Sequence, residues 1–142
     1  MIVLDTNVIS ELLLPNPNPV VLTWMAQLPR RLVCTTAVTV GELRYGEARL
    51  PAGRRRDSLT AGIDSVFQGV VEQTVSPFDR DAAELLGDVL VTREHMGRPI
   101  TLADAQIAAI CRSTGATLAT RNTRDFEGLG LTLINPWEWT AA

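Results

Sequence analysis

From end to end, the chain alternates short apolar runs with stretches of helical spacing, and this alternation constrains its fold more than any other feature. Residues 2–5 (Ile-Val-Leu-Asp) open as a buried strand. Val8, Ile9, Leu12 and Leu13 then recur at helix spacing across 6–14. The proline-rich stretch 15–19 breaks that helix. Asn18 is a natural N-cap and Pro19 a natural first residue for a second helix over 20–28. A strand is expected over 32–35, helices over 38–50 and 54–68, and a third strand over 74–77. Asp79 caps a long helix that ends near Gly97, and Thr101 caps another that stops at Gly115. Strands over 117–120 and 131–134 flank a loop at 121–130. Strands alternating with helices build a parallel sheet with helices on both faces. The expected fold class is therefore α/β, a single domain over 1–142 with five strands sandwiched between helices.

Composition narrows the chemistry. At 46% hydrophobic, the chain has enough apolar residues for a real core. No run of 18 apolar residues exists, so no membrane span is expected. The N-terminus reads as a strand rather than a secretory leader, which points to a cytoplasmic protein. Cys34 and Cys111 fall in strand-like and helix-like runs and read as small buried hydrophobes. All 13 basic residues are arginine. Without lysine there is no P-loop phosphate site and no Schiff base. A dehalogenase-like phosphatase or a receiver-type phospho-acceptor domain would also miss its lysine, and the former would want an acid where Asn7 stands. The single histidine, His95, rules out a two-histidine ribonuclease mechanism and reads as a surface partner of a helix C-terminus. A net charge of −3 excludes a general basic coat, so any nucleic-acid contact must be a local patch.

Four acids stand out: Asp5, Glu42, Asp104 and Asp125. Each falls where a strand-like run ends or a helix-like run begins, and in a parallel α/β sheet those places converge on one ligand-binding edge. Each also has a purely structural reading. Asp5 fits an N-cap, Thr39–Glu42 and Thr101–Asp104 fit capping boxes, and Asp125 fits an ordinary loop acid. Jointly they say more. Asp104 enters a helix that is apolar nearly all round, where a carboxylate must be paired or must coordinate a metal. Clustered carboxylates suit a hard divalent cation such as Mg²⁺. Glu11 reads as solvent-facing. Trp24, Trp137 and Trp139 read as packing residues, the last two against a sheet edge or an oligomer contact, with stacking on a base as the alternative for those two.

The segments carrying these acids resemble one family. They are Met1 to Glu11 (MIVLDTNVISE), Thr39 to Gly46 (TVGELRYG), Ala103 to Ala109 (ADAQIAA) and Leu118 to Phe126 (LATRNTRDF). Together, and in this order, they resemble the PIN-domain ribonucleases, specifically VapC-type toxins of bacterial toxin–antitoxin pairs. The proline-rich stretch after the first helix and the closing Asn135-Pro136-Trp137 resemble the FitB-like branch. The resemblance implies a five-stranded parallel sheet and RNA cleavage dependent on Mg²⁺, with Mn²⁺ as a substitute. It places catalytic and metal-holding acids at Asp5, Glu42 and Asp104 and leaves the fourth position between Asn122 and Asp125; Asp125 is expected as the fourth acid, with Asn122 assisting. Thr6 and Thr120 are expected as supporting hydroxyls.

The expected chemistry is phosphodiester hydrolysis by a metal-activated water, without a covalent protein intermediate. Substrate contacts are expected from Arg44, Arg49, Arg54, Arg55 and Arg56, with Arg121 and Arg124 nearer the acids. The Arg54–Arg56 run reads equally as a solvated helix start. The resemblance also implies a VapB-like antitoxin, a homodimer, and a higher assembly with antitoxin and DNA. A non-catalytic role as co-repressor in such a DNA-bound complex is the competing reading.

Overall fold

The structure, a computed structural model, describes residues 1–70 and 75–141. Among these described residues, five parallel strands form the sheet: β1 (Ile2–Leu4), β2 (Val33–Thr36), β3 (Val75–Ser76), β4 (Thr117–Ala119) and β5 (Leu133–Ile134). Their spatial order is β3-β2-β1-β4-β5. The most apolar strand therefore lies at the centre, with Val3 paired to Cys34 on one side and to Leu118 on the other. From β1 the chain builds outward through β2 and β3, then returns and builds the other way through β4 and β5. The β1–β4 pair is thus the topological switch point, whose carboxyl edge is the usual ligand position in open α/β sheets.

Among the described residues, six α-helices connect these strands: α1 (Thr6–Leu12), α2 (Pro19–Gln27), α3 (Ala37–Ala48), α4 (Arg54–Ser65), α5 (Arg80–His95) and α6 (Leu102–Thr114). Their starts follow local chemistry. The Asn18 side chain accepts from the Val20 N–H with Pro19 as the first helical residue. Asp79 caps α5 through the Ala82 N–H, and Thr101 caps α6 through the Asp104 N–H. Gly115 ends α6 with φ +71°, the left-handed conformation expected there.

The two faces of the sheet bury different cores because successive strand residues point to opposite sides. Val3, Cys34 and Leu118 pack on one side with α5, α6, Phe126 and Leu129. Leu4, Val33 and Ala119 pack on the other with Val8, Ile9, Trp24, Leu43 and Ile63. The helix expected to be apolar nearly all round is the most enclosed of the helices, with Ala105 and every residue from Ile107 to Cys111 buried. Both cysteines are free and buried, and desolvation first of all pushes the Cys111 thiol up to about 12.

Some expectations shift. The helix expected over 38–50 begins at Ala37, because Thr36 rather than Thr39 is its N-cap. Glu42 therefore lies past the first turn and is not half of a capping box. The 54–68 helix keeps α-geometry to Ser65 and then widens into a π-type turn over Val66–Val70. The fifth strand begins at Leu133, two residues later than expected. Thr74, expected to open the third strand, lies outside the described residues. The 121–130 loop contains a single 3-10 turn, Thr123–Phe126.

Candidate active site

At the switch point a cleft of about 460 Å³ opens, and Asp5, Glu42 and Asp104 all line it. They arrive from three separate elements: the end of β1, the second turn of α3 and the first turn of α6. The rest of the wall includes Thr6, Asn7, Ser10, Glu11, Arg121, Asn122 and Trp137.

Asp5 is the anchor. It is only 4% exposed, and each hydrogen bond to its carboxylate comes from a donor. The Thr6 N–H donates to its Oδ1 at 2.8 Å, and the Thr120 hydroxyl donates to its Oδ2 at 2.8 Å. Asn7 Nδ2 donates to the same Oδ2 at 3.3 Å. Thr120 Oγ1 in turn accepts from the Asn122 N–H at 3.1 Å and from Asn7 Nδ2 at 3.3 Å. The hydroxyl thus has both its donor and its acceptor capacity used, which locks its proton toward Asp5. Burial pushes the Asp5 carboxyl up. The bonds from Thr120 and the Thr6 amide oppose that rise, and the charges of Glu42 and Asp125 add to it.

Glu42 is exposed but oriented. The Thr6 hydroxyl donates to its Oε1 at 2.7 Å. Thr6 Oγ1 lies 3.1 Å from Thr39 Oγ1, which lies 3.4 Å from Thr36 Oγ1. Each hydroxyl has one proton, so the only arrangement that satisfies all three runs in one direction: Thr36 to Thr39, Thr39 to Thr6, Thr6 to Glu42. Thr6 therefore couples β1 to the carboxylate on α3. Asp104 keeps its structural role as well, because its N–H receives the Thr101 cap. Its carboxyl is pushed up to about 6, first by desolvation and then by the charges of Asp5 and Glu42. The Thr101 side chain opposes the rise and Asp125 adds to it.

The two candidates for the fourth position lie differently with respect to the cleft. Asn122 lines the cleft and Asp125 does not. Asp125 sits in the 3-10 turn, close enough for its charge to reach Asp5 and Asp104. The arginines divide too. Arg121 lines the acidic cleft, whereas Arg44 is held by Glu47 at 2.8 Å and Asp64 at 2.6 Å. Arg49 lies over Tyr45, and Arg55 lines a neighbouring groove that shares Thr6, Ser10, Leu14 and Glu42 with the cleft. Arg54, Arg55 and Arg124 are exposed and Arg56 is half-buried.

Glu11 and Arg93 are among the residues whose roles escaped the sequence reading. Glu11 is not solvent-facing. It is half-buried, lines the cleft, and accepts the indole N–H of Trp137 at 3.2 Å. Arg93 is only 2% exposed and donates to three backbone carbonyls, Arg98 at 2.9 Å, Arg124 at 3.1 Å and Glu127 at 2.8 Å. It clamps the loop that follows Asn122. An arginine on a helix among Val91, Thr92 and Glu94 carries no local signal of that role.

Among the described residues, no three carboxylate, imidazole or thiol groups are gathered into a ready-made ion cage. The polar groups on the cleft wall nevertheless suit a hard cation. Apart from Arg121 and the indole of Trp137, they are carboxylates, hydroxyls and side-chain amides, with no thiol or imidazole. Oxygen donors of this kind match Mg²⁺ or Mn²⁺. Among the described residues, no helix is long and apolar enough to cross a membrane.

Comparison with known proteins places this architecture. The PIN domain family matches residues 2–130. The chain is 41% identical over 138 residues to "VapC ribonuclease Y4jK" of Sinorhizobium fredii, covering 97% of this chain and 99% of that one. It is 36% identical over 137 residues to "Toxin FitB" of Neisseria gonorrhoeae, covering 96% and 99%. The solved structure of FitAB bound to the IR36 DNA fragment contains a chain that superposes with a TM-score of 0.90 at 34% identity, covering 99% of both. The chain belongs to the PIN-domain family, within its VapC/FitB toxin branch.

Proposed function

We propose that this chain is a divalent-metal-dependent endoribonuclease, the toxin half of a VapBC-type pair. The observation that carries this reading is the convergence of Asp5, Glu42 and Asp104, from three elements, on one cleft at the switch point of the sheet. The naming of a 41%-identical relative as a ribonuclease supports it.

Asp5, Glu42 and Asp104 would hold Mg²⁺ or Mn²⁺, with Asn122 offering a further oxygen and Asp125 adding negative charge from the adjoining turn. When bound, the cation supplies a Lewis acid that activates water and offsets charge building on the phosphate. Everything else falls to the chain itself. Thr120, Asn7 and the Thr6 amide hold the Asp5 carboxylate in one orientation. The Thr6 hydroxyl aims Glu42. Below about pH 6 Asp104 holds a proton, so cation uptake releases that proton and weakens as pH falls. Arg121 is the one cation among the residues of the cleft wall, and its guanidinium suits a phosphate. Arg49, the Arg54–Arg56 run and Arg124 would extend the contact over the neighbouring surface. Arg44 is already committed to two carboxylates, so its role there is secondary.

The same reading assigns a cytoplasmic location, a homodimer and a VapB-like antitoxin. The likeness to a chain solved in a DNA complex favours a second role for this protein, as part of a DNA-bound repressor assembly with its antitoxin. The two roles are compatible. The deciding experiment is cleavage of end-labelled total RNA by antitoxin-free protein, in Mg²⁺ and in EDTA, beside Asp5→Asn and Asp104→Asn. The nuclease reading expects metal-dependent fragments with 5′-phosphate ends from the parent alone. Equal cleavage by Asp5→Asn would remove the site assignment, and a folded parent that cleaves nothing would leave the repressor role.

A further inference from the structure

We propose that Arg121 and Trp137 form a stacking subsite that seats one unpaired base of single-stranded RNA beside the acidic cleft. This rests on the nuclease reading above and deepens it, by naming which feature of the RNA the site would read.

Among the residues lining the cleft, Arg121 is the sole cation and Trp137 the sole aromatic, and they sit together. The guanidinium carbon lies over the Trp137 ring, 5.1 Å from its centroid. The ring cannot turn freely, because its N–H donates to Glu11 at 3.2 Å. Both backbones are pinned as well. Asn135 Oδ1 accepts the Trp137 N–H at 3.0 Å, and Asn135 Nδ2 reaches the Arg121 carbonyl at 3.5 Å. Asn7, which touches Asp5, accepts the Arg121 N–H at 3.2 Å through its own Oδ1. The pair is therefore built on the same framework that orients the acid.

Three observations separate a subsite from simple cover for a tryptophan. Arg121 is exposed, and among the described residues no carboxylate forms a salt bridge with it, although Glu11 is adjacent on the cleft wall. Trp137 is only half-buried, so an aromatic surface borders the cleft. The cleft is acidic and the chain carries a net charge of −3, so RNA needs a local attraction that outweighs repulsion of its phosphates. A planar guanidinium on an indole answers both needs. Its plane and the ring offer stacking to any unpaired base, and its N–H groups offer a fork to the adjoining phosphate. A paired base inside a duplex presents no free face, so the subsite selects single strands and loops.

The test uses a labelled single-stranded RNA of mixed sequence, and a set of copies with one abasic residue at each position in turn. Cleavage in Mg²⁺ gives KM and kcat, and fluorescence anisotropy in EDTA gives binding. Stacking on one base corresponds to a loss of roughly ten-fold when that base is removed. With parent protein, a single abasic position next to the cleaved bond should raise KM about that much, with kcat little changed. In Arg121→Gln and Trp137→Leu the same abasic copy should be cleaved no worse than the intact RNA, because nothing remains to be lost. Trp137→Phe keeps an aromatic face and should retain part of the penalty, which guards against a Trp137→Leu variant that fails to fold. An equal abasic penalty in parent and Arg121→Gln, or a parent indifferent to every abasic position, would overturn the subsite while leaving the nuclease intact. A parent that neither cleaves nor binds the intact RNA would overturn both.

Discussion

Replacing Asp104 with asparagine should stabilise the metal-free protein while removing its proposed activity. Desolvation, then the charges of Asp5 and Glu42, raise the Asp104 carboxyl from 3.8 to about 6. For an acid, a folded-state value above the unfolded one means that the neutral form is preferred in the fold. The stabilising contribution is then complete below pH 3.8 and is lost as pH rises through about 6. At pH 7.5 the ionised group would cost about 3 kcal/mol if fully shielded from solvent. Asp104 is half-exposed, so screening reduces this to about 1–2 kcal/mol. The cap is untouched, because Thr101 accepts from the backbone N–H of residue 104. At pH 7.5 in EDTA, Asp104→Asn should therefore melt roughly 3–6 °C above the parent. By pH 4.5 the gap should shrink to about a third, and below pH 3.8 the two curves should converge. Thermal denaturation followed by circular dichroism across this range checks both points. A variant that melts at or below the parent at pH 7.5, or a gap that does not change with pH, would refute the claim that charge crowding strains this cleft. The broader implication is that the acids are held together at a cost to stability, as at many functional sites.

The clamp formed by Arg93 gives a second test: Arg93→Met should destabilise by about 2–4 kcal/mol in urea, because it leaves three backbone carbonyls without their donor. Arg93→Lys should recover little of that, since one ammonium cannot reproduce a planar fork spanning Arg98, Arg124 and Glu127. In α5, Gly87 is exposed with open space where a Cβ would go, so Gly87→Ala should stabilise by about 0.5–1 kcal/mol in the same assay. Gly128→Ala should instead cost about 1 kcal/mol, because φ is +82° there. Adding Met96→Ala should not relieve that cost. The Met96 sulfur, 2.7 Å from where the new methyl group would sit, is the end of a flexible, exposed side chain that can move aside, whereas the backbone strain remains.

Much of this architecture is legible in the chain because it depends on neighbours a few residues apart. The caps at Asn18, Asp79 and Thr101, and the stop at Gly115, are formed by groups within about one helical turn, and all four lie where expected. The same holds for the buried α6, whose apolar residues declare its enclosure without any knowledge of its neighbours. Asp5 and Asp104 could be placed at the sheet edge because a parallel α/β pattern brings strand ends and helix starts there.

Tertiary structure decided the contacts that cross the sheet. Thr6 meets Thr39 across 33 positions, Asp5 meets Thr120 across 115, and Glu11 meets Trp137 across 126. None of these pairs has a local signature, since they depend on the strand order β3-β2-β1-β4-β5, which sets β1 beside β4. Strand order likewise turned Glu11 from a surface acid into the partner of an indole, and brought Arg121 alone among the arginines onto the acidic wall. The 3-10 turn put Asn122 rather than Asp125 on the same wall, because a three-residue offset in a tight turn changes which side chain faces the cleft. Periodicity and capping are written into the sequence because their energies are local. The pairing of distant polar groups belongs to the fold, because only the completed sheet removes water from between them.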